Sequence, residues 1–284
     1  MPAVEQFIRE RQYLANVTPA TIAWYRNSLK WLPSESPSQQ ELRELVIRMR
    51  EKGLKPSGCN CAIRAINAFL HWSDAGADRK CGAGCTHLRV PKIKEPQLVL
   101  PTLNEQQIRL LVRYKPKGKA QKRLHLLALF LLDTGCRISE ALGLRVSDVD
   151  FENLLVTLDG KGRKQRIVPF SFELRKALFR YCKETNRTPE SMLFATRTQT
   201  KLTKRNALRG IKLLCKRIGF AAPRRTLHSF RHTFAVNYLR RGGSVFHLQK
   251  VLGHSTLEMT RRYANLVTAD LQAVHQRVSL LSGV

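Results

Sequence analysis

Apolar residues recur at helical spacing through the first seventy-five positions, and capping residues punctuate them. Thr18 before Pro19 reads as an N-cap with proline in the first helical position, where the missing N–H is not needed. Ile22, Tyr25, Leu29 and Leu32 then fall on one face. Ser38 and Glu41 form an S-x-x-E capping box ahead of Leu42, Leu45 and Met49, and Gly53 is placed to end that helix. A fourth helix is predicted from near Ser57. Ile63, Ile66 and Leu70 make its apolar stripe, while Asn60, Arg64 and Asn67 make a polar one. That polar stripe reads either as a solvated face or as one turned to DNA.

The period is lost over residues 79–101, where Gly, Pro and basic residues gather in an expected extended linker. It returns near Asn104, which pairs with Gln107 as a weak capping box, and becomes strongly apolar at Leu126, Leu127, Phe130 and Leu131 before Gly135. In FENLLVTLDGKGRKQRIVPF, Leu154, Val156 and Leu158 alternate, a basic Gly-containing turn follows, and RIVPF returns. This predicts a β-hairpin. After Pro169 the spacing is helical again, with Thr203, Ser244 and Ser255 as N-caps, Glu258 completing a box with Ser255, and Gly242 and Gly253 as stops. Leu271, Val274, Val278 and Leu281 share a face of a last helix, to be buried either within the chain or against a neighbour. The pattern therefore predicts a mainly α chain: an all-helical domain over 1–78, the linker over 79–101, and a mostly helical domain with a small β-hairpin over 102–284.

Charge changes this picture most. Fifty Lys and Arg against twenty-one Asp and Glu leave +29 on 284 residues. A compact fold with that excess repels itself unless an acidic partner is near, and a phosphate backbone is the commonest one. A membrane partner is not expected, because no run of eighteen apolar residues exists and the start, MPAVEQFIRE, lacks a signal-peptide layout. Seven cysteines, an odd number, without a signal-peptide layout point to reduced thiols and the cytosol, and with DNA as the expected partner the expected location is cytoplasmic and nucleoid-associated. Cys59, Cys61, Cys81, Cys85 and His87 gather metal-ligating types. Their C-x-C and C-x-x-x-C spacings depart from the zinc knuckle, and no metal is expected.

Four segments carry candidate chemistry, in order: TGCRISEALGLRVSD with Arg137, DGKGRK with Lys161, HSFRHTFA with His228 and Arg231, and LGHSTLEMTRRYANL with His254 and Tyr263. A phosphodiester repels nucleophiles. Two guanidiniums, from Arg137 and Arg231, can grip its non-bridging oxygens and stabilise the extra transition-state charge. Tyrosine ionises near a pKa of about 10, so forming phenolate at neutral pH costs about 4 kcal/mol. A histidine that accepts the proton reduces this cost. His228, three residues before Arg231 and on the same helix face, is the candidate. Lys161 at the hairpin tip can protonate the leaving 5′ oxygen, and His254 can add a hydrogen bond to the phosphate. Lys164 and Arg166 on the hairpin join Asn60, Arg64 and Asn67 as candidate DNA-binding residues. Each piece alone has a bland reading; the ordered set supplies every role the reaction needs.

The set resembles the tyrosine recombinases, or phage integrase family, over nearly the whole chain. The resemblance implies a core-binding domain followed by a catalytic domain, with Arg137, Lys161, His228, Arg231 and His254 assisting and Tyr263 attacking. It implies a 3′-phosphotyrosine link, a free 5′ hydroxyl, four protomers on two double-stranded sites, a Holliday junction, and a C-terminal helix packed into a neighbouring protomer. It implies no cofactor, metal or ATP, since the phosphotyrosine conserves the bond energy. The absence of a further small domain before the helical one is closer to Xer-like resolvases and transposon-borne recombinases than to arm-binding integrases. Asn265 stands where many relatives carry His. The rival readings are a type IB topoisomerase, a DNA-binding regulator that kept the fold without the reaction, and a basic RNA-binding protein, which would want stacking aromatics this chain lacks.

Overall fold

The computed structural model describes residues 1–77, 88–96, 101–160, 165–264 and 275. The chain divides into two compact units, Met1–Leu98 and Val99–Val284. Lys161 and Lys164, Cys81, Cys85 and His87, Asn265, and the C-terminal stripe Leu271, Val274, Val278 and Leu281 lie outside the described residues.

The first unit is built on α1 (Pro2–Tyr13), α2 (Pro19–Leu29), α3 (Gln39–Glu51) and α4 (Pro56–Ala77). Thr18 caps α2 by accepting the Thr21 amide at 3.3 Å. At α3, Ser38 Oγ accepts the Glu41 amide while the Glu41 carboxylate accepts the Ser38 amide, at 3.2 and 2.7 Å. These bonds satisfy N–H groups that a helix start leaves orphaned. Phe7, Leu45, Met49, Ile63, Ile66 and Phe69 are sealed from water. The Phe7 ring meets Tyr25 edge-on at 5.0 Å between centroids.

Residues 88–96, expected within a free linker, belong to this unit. Val90 is buried in its core and Leu88 and Ile93 pack against it. Asn67 accepts the Val90 amide and donates to the Val90 carbonyl, at 2.9 and 3.0 Å. Asn60 does the same to Ile93, at 2.8 Å each way, and also donates to Glu95. The polar stripe of α4 is thus corrected in two of its three members. Asn60 and Asn67 act as an amide clasp for an extended segment whose backbone groups have no strand partner. Arg64, between them, is exposed.

In the second unit, α5 (Glu105–Arg113) and α6 (Gly118–Thr134) precede a single-turn α7 (Ile138–Ala141). A three-stranded antiparallel sheet follows, in the order β1 (Val149–Asp150), β2 (Leu155–Asp159), β3 (Gln165–Pro169). The predicted hairpin is β2–β3, with Val156 opposite Val168; β1 is an added short edge, with Val149 opposite Val156. Then come α8 (Phe172–Glu184), α9 (Lys204–Ile218), α10 (Thr226–Arg240), α11 (Val245–Leu252) and α12 (Glu258–Ala264). Helix α6 is the central post. Leu127, Phe130 and Leu131 are fully buried, and α8, α9 and α10 pack around it. The Ser255 capping box is not the start of α12. That helix begins at Glu258, and the Leu257 carbonyl accepts its first amide bonds. A smaller core of Ala235, Val236, Leu248 and Leu252 holds α10, α11 and α12 together and includes Tyr263.

Candidate active site

Three arginines converge on one helix end. The carbonyls of Val251, Leu252 and Gly253, where α11 stops, accept from Arg166 Nε at 2.8 Å, Arg231 Nη2 at 2.8 Å and Arg137 Nη2 at 3.4 Å. The last carbonyls of a helix lack intrahelical partners and carry its negative end, so they suit guanidinium groups. Gly253 makes the sharp stop possible. Its φ of +63° lies in the left-handed region, and a Cβ there would stand 3.0 Å from the Arg166 side chain.

Arg137 reaches this point because α6 ends in a left-handed glycine. Gly135 has φ +61°, and the Phe234 ring occupies the place of its missing Cβ. Arg137 then caps α7. Its amide donates to Glu140 Oε2 at 2.7 Å and its Nη1 to Oε1 at 2.9 Å. Arg166 grips the same carboxylate with both Nη atoms, at 2.9 and 2.8 Å. Burial pushes the Glu140 pKa up, but the hydrogen bonds from Arg166 and Arg137 outweigh it and hold the carboxyl below its ordinary value. Arg231 is buried, with Nη1 on the Gly135 carbonyl at 2.9 Å. Burial and then Arg137 lower its pKa to about 10, so it keeps its charge at neutral pH.

The nucleophile candidate lies against this cluster. Tyr263 is buried, and its hydroxyl is 2.8 Å from His232 Nδ1. The His254 ring lies parallel to the tyrosine ring, 7° from coplanar, at 6.2 Å. Arg231 Nη2 donates to His254 Nε2 at 2.9 Å. Guanidinium has no acceptor, so neutral His254 carries its proton on Nδ1 and donates it to Thr260 Oγ1 at 2.9 Å. Burial, then Arg231 and Arg137, push His254 down to about 4. Burial raises the Tyr263 pKa despite the pull of Arg231, Arg137 and Arg262, so the free protein holds a neutral phenol.

The structure thus gathers Arg137, Arg231, His254 and Tyr263. His228 stands apart from the hydroxyl. It is exposed one turn before His232, the rings 6.3 Å apart, and burial with nearby Lys204, Arg225 and Arg231 lowers its pKa. Arg166, expected to bind DNA, is instead spent on Glu140 and α11, its side chain 13% exposed. Sequence reasoning missed Glu140 and His232. The signals were present: an acidic residue three after Arg137, and a second histidine in HSFRHTFA. Among the described residues no group of three or more His, Cys, Asp or Glu could hold a metal, and no helix is long and apolar enough to cross a membrane.

Two arginines, a hydrogen-bonded histidine and a buried phenol stand together on a mainly helical fold, side chains of the kinds that can hold an oxyanion and present a tyrosine nucleophile. Residues 101–269 match the phage integrase family model, and the chain belongs to that family, the tyrosine recombinases and integrases. The chain is 28% identical to the tyrosine recombinase XerA of Pyrococcus furiosus over 252 residues, 88% of this chain and 84% of the relative. It is 28% identical to XerD of Yersinia pestis over 295 residues, 97% and 96% of the two chains. Among solved structures, the Tn1549 transposon integrase in complex with transposon right end DNA superposes with a TM-score of 0.77 at 21% identity, covering 98% of this chain and 99% of that one. The XerH site-specific recombinase bound to palindromic difH substrate gives 0.73 at 19% identity, covering 98% and 84%. The likeness to these two structures is one of fold.

Proposed function

We propose that the chain is a site-specific DNA recombinase that cuts one strand of a duplex with Tyr263 and joins it to a different end. The observation that carries the reading is the Tyr263 hydroxyl, buried beside Arg231 and Arg137 of its own chain. Two DNA-bound recombinases share the fold and support a DNA substrate.

In this reading the scissile phosphate enters between Arg137 and Arg231. Their guanidiniums are already aimed by Glu140 and the end of α11, so little reorganisation remains when charge develops. His254 accepts from Arg231 and donates to Thr260, so it orients the Arg231 guanidinium toward the phosphate, and His228 adds a donor to it. Tyr263 Oη forms a bond to phosphorus, and the bond to the 5′ oxygen breaks. Lys161 gives that oxygen its proton. A 3′-phosphotyrosine and a free 5′ hydroxyl result. The hydroxyl of a second duplex then attacks the link, displaces the tyrosine and restores a phosphodiester, and a second exchange resolves the Holliday junction. Four protomers on two sites would perform the paired exchanges. Arg64, with Arg89, Lys92 and Lys94 exposed along the clasped segment, supplies cations for the DNA backbone.

The test is a plasmid carrying two copies of the DNA that flanks the gene. The reading expects deletion or inversion between the copies, and no product when one copy is scrambled. Relaxation of supercoils regardless of sequence, without exchange, would make the protein a topoisomerase. Tight binding to intact sites, with neither reaction, would make it a regulator.

A further inference from the structure

Strand cleavage requires the Tyr263 proton to go somewhere, and the sequence pointed to His228. The geometry points elsewhere. On the reading of Tyr263 as nucleophile, we propose that His232 holds its hydroxyl and takes its proton as the oxygen attacks phosphorus.

The first ground is contact. Nδ1 of His232 is 2.8 Å from the hydroxyl, inside the range a general base needs, and the two rings are 5.6 Å apart. The second ground is the state of the other histidines. The lone pair of His254 at Nε2 is taken by Arg231, and its Nδ1 proton is given to Thr260. His254 therefore lies beside the phenol with no lone pair free. His228 is exposed and makes no hydrogen bond to the tyrosine. The His232 ring makes no other hydrogen bond to a described residue. In its neutral form the proton can sit on Nε2, leaving the Nδ1 lone pair toward the hydroxyl.

The field around the ring gives the proposal a switch. The groups acting on His232 are Arg225 at the cap of α10, His228 and Arg231 on α10, His254 before α12 and Tyr263 on α12, while Arg137 and Arg262 act on Tyr263. Burial, then His228, Arg231 and Arg225, depress its pKa to about 4. His232 is thus neutral at pH 7 and able to accept, though a weak base in the free protein. Burial, the largest cause, stays in place, but an entering phosphate offsets the part due to the neighbouring arginines, so the basicity of His232 rises when substrate is present. The proton leaves Oη for Nδ1 as the O–P bond forms, giving an imidazolium. In the rejoining half the imidazolium returns it to the departing phenolate, as microscopic reversibility requires.

The test uses a nicked duplex from the gene-flanking DNA and follows covalent adduct formation from pH 6 to pH 9. His232→Asn places an amide oxygen near the Nδ1 position but cannot become a cation. It should bind DNA as wild type does. Its adduct rate at pH 7 should fall about 10²–10⁴-fold, and it should climb about tenfold per pH unit while wild type stays flat, since hydroxide must now form the phenolate. A wild-type rate and profile in His232→Asn would overturn the proposal. An adduct that persists in Tyr263→Phe would instead sink the reading of Tyr263. Nitrogen-15 NMR of the free protein decides the contact without DNA or folding risk from a histidine variant. The Nε2–H tautomer, with an Nδ1 shift that moves in Tyr263→Phe, is expected. An Nδ1–H tautomer would contradict it.

Discussion

The Glu140 carboxylate, its side chain 3% exposed, accepts from the Arg137 amide and from both guanidiniums of Arg137 and Arg166. Removing one partner of a buried ion pair leaves the other uncompensated. Glu140→Ala should therefore cost about 3–5 kcal/mol, read as a lower urea midpoint. Glu140→Gln should fold better yet slow cleavage, because Arg137 loses its tether. Glu140 is depressed from 4.5, so its contribution is complete above that value and is lost as pH falls through the lower folded value. His232 and His254 fall from 6.5 to about 4, so the unfolded chain binds protons first between those values. Stability should then decline as pH drops from 6.5 toward 4, and urea midpoints at pH 8, 6 and 4 check it. Lys161→Ala should lose cleavage, with rescue by a 5′-bridging phosphorothiolate whose leaving group needs no proton; failure of that rescue would remove the general-acid role.

At the scale of elements, caps and periodicity were legible in advance, because a cap and its helix are neighbours in sequence. Thr18, Ser38, Asn104, Thr203 and Ser244 all cap as expected. What escaped depends on contacts between distant segments. Arg166 alternates on β3 like a surface residue, but α11, eighty-five positions later, closes over it. Asn60 and Asn67 sit at helical spacing on α4, and nothing local announces the chain that returns to them. That Arg137, Arg231, His254 and Tyr263 would lie together was readable, because cleavage by a tyrosine would need those residue types side by side. The choice of His232 over His228 was not, since it turns on which face of α10 meets α12. The clasp makes its own prediction. Asn67→Ala strips the Val90 amide and carbonyl of their side-chain partner and should cost about 1–3 kcal/mol, with faster hydrogen exchange confined to residues 88–96. Asn60→Ala should act likewise on Ile93. Gly135→Ala should cost more than an ordinary surface substitution, since it combines a positive φ with the Phe234 clash.

For the whole molecule, the excess of fifty basic over twenty-one acidic residues fits a polyanionic substrate. Binding to the duplex should weaken steeply with salt, the slope of log K on log[salt] falling by about 0.9 per phosphate contacted. Arg64→Ala should lower that slope by about one contact without changing cleavage once bound. On the proposed reading this charge serves a covalent reaction at one tyrosine. The direct measurement is denaturing electrophoresis after mixing the protein with nicked DNA from the region flanking its gene, alongside Tyr263→Phe. A denaturation-resistant protein–DNA adduct, joined through a 3′ phosphate in wild type and absent from Tyr263→Phe, is the predicted result. Salt-sensitive binding of that DNA by both proteins, with no adduct from either, would contradict it.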